Sequence, residues 1–299
     1  MPAQAPGRSP ARPPAMKIVI LRGGSALRRR RDPNAPAGST RDRGVMALGN
    51  GAGRWVLVNM SPGVAHQLDS DLRLDSHLGL PEPDVRAVVL TDAQVDHVGG
   101  LLSLRDGAPI DLYATPAVFE QLTTALPVLP VLQHYCGVHW RVVPVGGDRR
   151  VASFRVEGMP TLEFTAVATQ NPLPPHLAHA THTARREQPQ VGDSIALAVQ
   201  DLATGHRVFC APGLSQIGST EFEWMREADC LLLDNLLPEA GTGAATAADA
   251  TGNLPWLDLL RDMPARHKVL FADGPALAAQ PGWAAQGIAL AYDGMEIEL

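Results

Sequence analysis

The sequence predicts an α/β chain in which two sheets pack face to face and helices cover them. Three observations lead there. Short runs rich in Val, Ile and Leu recur in two groups, helical segments lie between them, and 299 residues suffice to bury a large core. Residues 16–299 read as a single domain. Residues 1–15 are rich in Pro and Ala, hold no continuous apolar segment, and read as a disordered extension with Met16 as a candidate start.

The elements follow in order. Residues 17–21 form the first β-branched run, ending at Arg22-Gly23-Gly24-Ser25, and 55–59 and 85–90 supply the next strands. Ser61, Pro62 and Gly63 turn the chain into a helical segment over 64–72. Residues 99–104 can begin a short helix. A strand at 111–114 runs into Thr115 and Pro116, an N-cap followed by proline at N1, and their helix covers 117–126. Runs at 138–145, 154–159 and 162–167 read as strands. From 168 to 192, Pro, His, Thr and Arg dominate without apolar period, so this stretch reads as an exposed loop or lid. Residues 194–200 and 207–211 pair about a turn at Thr204-Gly205. A buried strand at 231–233 ends at Asp234, a helix covers 254–261, a strand 268–271, and a last short pair lies within 288–299.

Composition narrows the function classes. A formal net charge of -6 argues against a general nucleic-acid binder and favours a small molecule or peptide as partner. No stretch is long and apolar enough to span a bilayer. Cys136, Cys210 and Cys230 show no Cys-x-x-Cys spacing, so neither a disulfide framework nor a zinc knuckle is indicated, and a reducing cytoplasm fits. The four arginines Arg28, Arg29, Arg30 and Arg31 read as a solvated face or an anion contact. Gly23-Gly24 as a phosphate cradle is the sharper alternative.

The most informative stretch is Leu90-Thr91-Asp92-Ala93-Gln94-Val95-Asp96-His97-Val98-Gly99-Gly100. If the backbone stays extended past Leu90, Asp92, Gln94 and Asp96 fall on one side, and a turn at His97 swings its imidazole towards them. Three oxygen donors and one nitrogen make a site harder than an imidazole-rich zinc centre, suited to iron(II), manganese or magnesium. The bland alternative is a solvated loop. Asp234 closes a second apolar run with a lone carboxylate, which is a ligand position or a turn cap. Asp193, in Gly192-Asp193-Ser194, is a supporting carboxylate or a turn residue. His176, His179 and His182 would share helical faces and reach a metal, or belong to a polar loop broken by prolines. His134, His139 and His206 read as structural, and His66, His77 and His267 as surface residues.

A strand that delivers an acid-and-imidazole cluster before Gly-Gly resembles the metallo-β-lactamase superfamily, with Asp92 and Gln94 where two histidines usually stand. A narrower resemblance covers residues 16–299 in order. Met16-Lys17-Ile18-Val19-Ile20-Leu21, Val58-Asn59-Met60-Ser61-Pro62, the segment 90–97 and Gly100-Leu101-Leu102-Ser103-Leu104-Arg105 resemble the coenzyme PQQ biosynthesis protein B (PqqB) family. So do Ala114-Thr115-Pro116-Ala117-Val118, Leu129-Pro130-Val131-Leu132, Tyr135-Cys136-Gly137-Val138, Gly192-Asp193-Ser194, Ala211-Pro212-Gly213 and the ending Ala291-Tyr292-Asp293-Gly294-Met295-Glu296-Ile297-Glu298-Leu299.

The resemblance implies a metallo-β-lactamase-like αββα sandwich and a cytoplasmic role in making pyrroloquinoline quinone (PQQ). It implies an iron(II)- and oxygen-dependent hydroxylase acting on the tyrosine ring of a crosslinked Glu-Tyr precursor. Another divalent metal is compatible with the same donors. The alternative is a non-catalytic relative that binds or helps transport PQQ or its precursor, and a metallo-hydrolase is a weaker third reading. Asp92, Asp96, His97 and Asp234 would be metal ligands, with Ser61, Gln94, Asp193, Asn253 and Asp273 lining the pocket or supporting the ligands. Partners would be PQQ, its precursor and other pathway proteins, and a homodimer is compatible with the family. The chain departs from the pattern at three places. Its arginine-rich stretch 28–43 replaces a cysteine cluster, so no structural zinc is expected. Asn253 and Ala272 stand where histidines are usual, so a second imidazole would have to come from the 168–192 loop, or Asp273 would have to replace it.

Overall fold

The computed structural model describes residues 15–23, 44–50, 54–64, 87–106, 109–178, 188–214, 216–234, 255–271, 283–284 and 287–299. Two seven-stranded sheets form the centre. The first contains β1 (Lys17–Arg22), β2 (Val45–Gly49), β3 (Trp55–Val58), β4 (Ala87–Val89), β5 (Ile110–Ala114), β6 (Val138–Val142) and β14 (Met295–Glu298), in the order β14-β1-β2-β3-β4-β5-β6. The second contains β7 (Val151–Phe154), β8 (Leu162–Ala168), β9 (Ile195–Asp201), β10 (Arg207–Ala211), β11 (Cys230–Asp234), β12 (His267–Phe271) and β13 (Ile288–Leu290), in the order β13-β12-β11-β10-β9-β8-β7.

Each sheet joins an antiparallel half to a parallel half. In the first, β14, β1, β2 and β3 pair antiparallel and β3 to β6 parallel. In the second, β7 to β10 pair antiparallel and β10 to β13 parallel. The inner parallel strands are largely buried on both faces, which is why they read as apolar runs rather than alternating ones, whereas β6 at the sheet edge is largely exposed. Leu231, Leu232 and Leu233 illustrate it: Leu232 faces the space between the sheets, while its two neighbours face the helices outside.

Three apolar layers result. Ile18, Ile20, Met46, Val58 and Val89 meet Phe164, Leu197, Cys210, Leu232 and Phe271 between the sheets. On the outside of the first sheet, Leu57, Val88 and Leu112 pack under α1 (Val95–Val98), a 3₁₀ segment (Gly99–Leu104), α2 (Pro116–Thr123) and α3 (Val128–Gln133). Outside the second sheet, Phe209, Leu231 and Leu270 pack under α5 (Ser219–Glu227) and α6 (Pro255–Asp262). A further short helix, α4 (Pro175–Ala178), follows β8. This is the αββα sandwich of two mixed sheets expected from the sequence.

Several local expectations need correction. The strand expected at 154–159 is β7, which stops at Phe154, and Glu157 and Gly158 form a turn in which Gly158 adopts φ +82°. The last two strands are not a pair: β13 extends the second sheet, whereas β14 crosses back to β1 of the first. The loop expected over 168–192 is not wholly exposed, because Thr169, Pro174 and Leu177 are buried and α4 lies within it. Strand β2 and helices α3 and α5 had no counterpart in the sequence reading. In β2, Val-Met-Ala-Leu-Gly has a single β-branched residue between glycines, so neither propensity nor period marks it. Among the described residues, no helix is long and apolar enough to cross a membrane.

Candidate metal and substrate site

The site lies where the parallel strands of both sheets end. β4 finishes at Val89 and hands the chain to Leu90, Thr91 and Asp92. The backbone then bends instead of staying extended: Gln94 is the N-cap residue of α1, and the amides of His97 and Val98 both donate to its carbonyl. Helical spacing therefore replaces the alternation of a strand. Asp92 and His97 are buried together, whereas Gln94 and Asp96 are only partly covered.

Asp92 and His97 make the closest contact between side chains there. His97 Nδ1 lies 2.7 Å from Asp92 Oδ1 and 2.9 Å from Oδ2. The backbone amide of Gln94 also donates to Asp92 Oδ1, at 2.9 Å, and the Thr91 hydroxyl lies 3.3 Å from Oδ2. Burial by itself would lower the basicity of His97. The charge and hydrogen bond of Asp92 outweigh it, aided by the charges of Asp234 and Asp96, and the imidazole ends above its ordinary value of 6.5. Asp234, buried at the end of β11, thus reaches His97 electrostatically from the other sheet.

A second layer of polar groups holds this pair. Asn59 is fully buried and, among the described residues, is the non-glycine with positive φ, at 63°. Asn and Asp tolerate that conformation better than other side chains. Its Oδ1 accepts from the Thr91 amide at 3.0 Å, and its Nδ2 donates to Thr91 Oγ1 at 2.9 Å and to the Gly44 carbonyl at 3.2 Å. The chain at 60–61 is clamped against α1: Met60 N donates to His97 O at 2.6 Å, and Gly100 N to Met60 O at 2.9 Å. Gly44 itself has φ +75°, and a Cβ placed on it would meet Pro212 Cβ at 2.7 Å and His97 Nε2 at 3.4 Å. The second nitrogen of His97 therefore looks onto the Gly44 backbone, beside Pro212.

The other expected site residues fall as follows. Ser61 is buried, and its Oγ accepts from Val64 N at 3.3 Å, capping a helical turn at 62–64. Asp193 is buried and ties its loop to α2: Oδ1 accepts from Gln121 Nε2 and Oδ2 from Gln190 N, both at 2.7 Å. That loop adjoins the site, since Ile195 N donates to Thr91 O at 2.8 Å. Asn253 and Asp273 lie outside the described residues, as do Ala272, His179, His182 and the stretch 28–43. His176 is described, and both its ring nitrogens are buried without a hydrogen-bond partner. Asn59, Thr91, Gly44 and Pro212 were missed as contributors. A lone Asn after an apolar strand, a turn signal, was the one trace of them in the sequence.

Among the described residues, no three His, Cys, Asp or Glu side chains stand close enough together to hold a metal ion. The donors present amount to one oriented imidazole amid carboxylates, with Asp92 already engaged by three hydrogen-bonding groups. That set does not make up a coordination sphere, and no chemical step is assigned to a metal.

Comparison with known proteins places these features in a family. A model described as Beta-lactamase superfamily domain matches residues 54–271. Coenzyme PQQ synthesis protein B of Azotobacter vinelandii is 33% identical over 281 residues, covering 87% of this chain and 88% of the relative. The protein of that name from Klebsiella pneumoniae is 33% identical over 290 residues, covering 90% of each. Among solved structures, Zn(2+)-bound PqqB from Methylobacterium extorquens superposes with a TM-score of 0.66 at 21% identity, covering 95% of this chain and 100% of that one. A diphosphatase from the PhnP family superposes with a TM-score of 0.58 at 17% identity, covering 95% and 98%. The structural likenesses bear on the fold, and the sequence matches bear on the family. The chain belongs to the coenzyme PQQ synthesis protein B family, on the fold of the beta-lactamase superfamily.

Proposed function

We propose that this protein serves PQQ synthesis by binding a precursor of the quinone at the end of the two sheets where His97 lies. The observation that carries this reading is convergence. The family-like segments around Asn59, Asp92, His97, Asp193 and Pro212 come to one end of the two sheets, and the charge of Asp234 reaches the same imidazole. The reaction such a site would serve is hydroxylation of the tyrosine-derived ring by iron(II) and dioxygen. Oxygen donors such as Asp92, Asp96 and Asp234 beside one imidazole are of the kind a hard divalent cation takes, but the described residues alone do not complete a sphere for it. This chain would contribute ring orientation and exclusion of water, while iron would supply the oxygen chemistry. Further donors would have to come from 235–254, from 272–282 or from the substrate.

A second reading, a non-catalytic binder of PQQ or its precursor, is favoured by the lack of a three-donor group among the described residues. We take the setting to be cytoplasmic, which three free, buried cysteines support, with pathway proteins or a second copy of the chain as further partners. Anaerobic loading with ferrous ion, followed by metal analysis, separates the two readings. The hydroxylase reading expects iron near one equivalent that is lost in His97→Ala and reduced in Asp96→Ala. No retained iron in the wild type refutes it. Quinone production in a strain lacking its own family member, restored by the wild type and not by His97→Ala, would refute the non-catalytic reading.

A further inference from the structure

The sequence presents Asp92 as a ligand, but its surroundings suit a different task. Both of its oxygens face His97 Nδ1, at 2.7 and 2.9 Å. The Gln94 amide and the Thr91 hydroxyl complete its partners, and Asn59 Nδ2 donates in turn to Thr91 Oγ1. A carboxylate can only accept, so His97 Nδ1 and the Gln94 amide both donate to Asp92, while the single Thr91 hydroxyl proton lies between Asp92 Oδ2 at 3.3 Å and Asn59 Oδ1 at 3.1 Å. The proton of the neutral ring is then on Nδ1. The Nε2 lone pair is left looking onto the Gly44 backbone beside Pro212, where glycine keeps side-chain atoms away from it.

We propose that Asp92 is a positioning residue that acts through His97, fixing the imidazole as its Nδ1–H form so that Nε2 is left as the acceptor. The inference rests on the reading of the His97 region as the functional site, but it does not require that a metal be bound. Asn59 holds the backbone from which Asp92 projects, its Oδ1 accepting from the Thr91 amide at 3.0 Å, so the aim of the carboxylate does not depend on the Thr91 hydroxyl. A carboxylate that orients a ligating imidazole raises its donor strength and typically changes metal affinity by about 10- to 100-fold.

The test uses full-length, metal-free protein with ¹⁵N-labelled histidine, examined by long-range ¹H–¹⁵N NMR above the titration of His97. The wild type is expected to carry the ring proton on Nδ1. Asp92→Ala is expected to release the ring to its intrinsic preference for the Nε2–H form while still unfolding cooperatively. Thr91→Val, which leaves the carboxylate in place, is expected to keep Nδ1–H. A wild-type ring protonated on Nε2 overturns the proposal, and that spectrum decides even where Asp92→Ala does not fold. Titration with Zn²⁺ alone gives a second readout. Affinity should fall about tenfold or more in Asp92→Ala, with the His97 Nε2 resonance moving on binding in the wild type. A metal-induced shift of the Asp92 carboxyl carbon as large as that of a bound carboxylate would overturn the proposal by making Asp92 a ligand. Wild-type protein that binds no Zn²⁺ but shows the Nδ1–H ring sinks the metal reading and leaves the positioning role standing.

Discussion

The two glycines that end the site motif are expected to differ sharply when each is replaced by alanine. A methyl group on Gly100 would lie 2.2 Å from the Ser61 carbonyl oxygen, 2.6 Å from its carbon and 2.8 Å from the Met60 carbonyl oxygen. All three are backbone atoms, and the same backbone is tied to α1 through Gly100 N to Met60 O and Met60 N to His97 O. Ordinary contact begins at 3.4 Å, so residues 60–61 and 97–100 must part by about 1 Å. Forced shifts of that kind cost about 1–3 kcal/mol, and weakening the two hydrogen bonds adds about 1 kcal/mol or more. Gly100→Ala should therefore lose about 3 kcal/mol in urea unfolding at an unchanged m-value. In Gly99→Ala the new methyl meets the Pro62 side chain at 3.1 Å, and Gly99 already has helical φ, at -62°. Alanine also gains over glycine in the unfolded state, so the net change should stay within about 1 kcal/mol. Equal stability of the two variants would refute the argument, because it would mean that the 60–61 backbone does not lie against Gly100.

Three other outcomes follow from the same geometry. Asn59→Gly keeps access to positive φ but drops the side-chain bonds to Thr91 and Gly44, and should cost about 2–3 kcal/mol in denaturant unfolding; wild-type stability would show that those bonds contribute nothing. The His97 imidazole is raised above 6.5 in the folded, metal-free protein, so its stabilisation is complete below that pH and disappears as pH rises through the higher folded value. The stability gap between wild type and His97→Gln should accordingly shrink from pH 6 towards pH 9, and a gap that widens contradicts the assigned direction. Lys268 is buried on the outer face of β12, and its Nζ donates to the Arg261 carbonyl at 2.9 Å near the end of α6. Lys268→Met, which keeps the packing volume, should lower stability by about 1 kcal/mol in thermal or chemical unfolding.

Legibility varied with the kind of signal. The parallel core strands announced themselves as short apolar runs, and the helix start at Thr115-Pro116 was read correctly because its physics is local: Thr115 Oγ1 accepts from Val118 N, as an N-cap side chain does. Strand β2 was missed because Met46, Ala47 and Leu48 have no strand-specific chemistry; they become a strand by pairing with β1 and β3. The separation of β13 from β14 was equally invisible, since a short polar turn between two apolar segments looks like a hairpin whichever sheets receive them. At the site, the expected alternation of Asp92, Gln94 and Asp96 failed because Gln94 starts a helix, and a four-residue helix leaves almost no periodic trace.

By itself the sequence determined the sandwich class, through apolar runs in two groups, and the family, through a string of ordered motifs. It also singled out a candidate site, through carboxylates and an imidazole at strand ends. Only the tertiary structure decided what those groups do to one another. Asn59 and Thr91 are 32 residues apart, and Gly44 and His97 meet only once the start of β2 lies against α1. Hydrogen bonds depend on distance and direction in space, so the pairing of Asp92 with His97 Nδ1 appeared only once the backbone bent after Asp92.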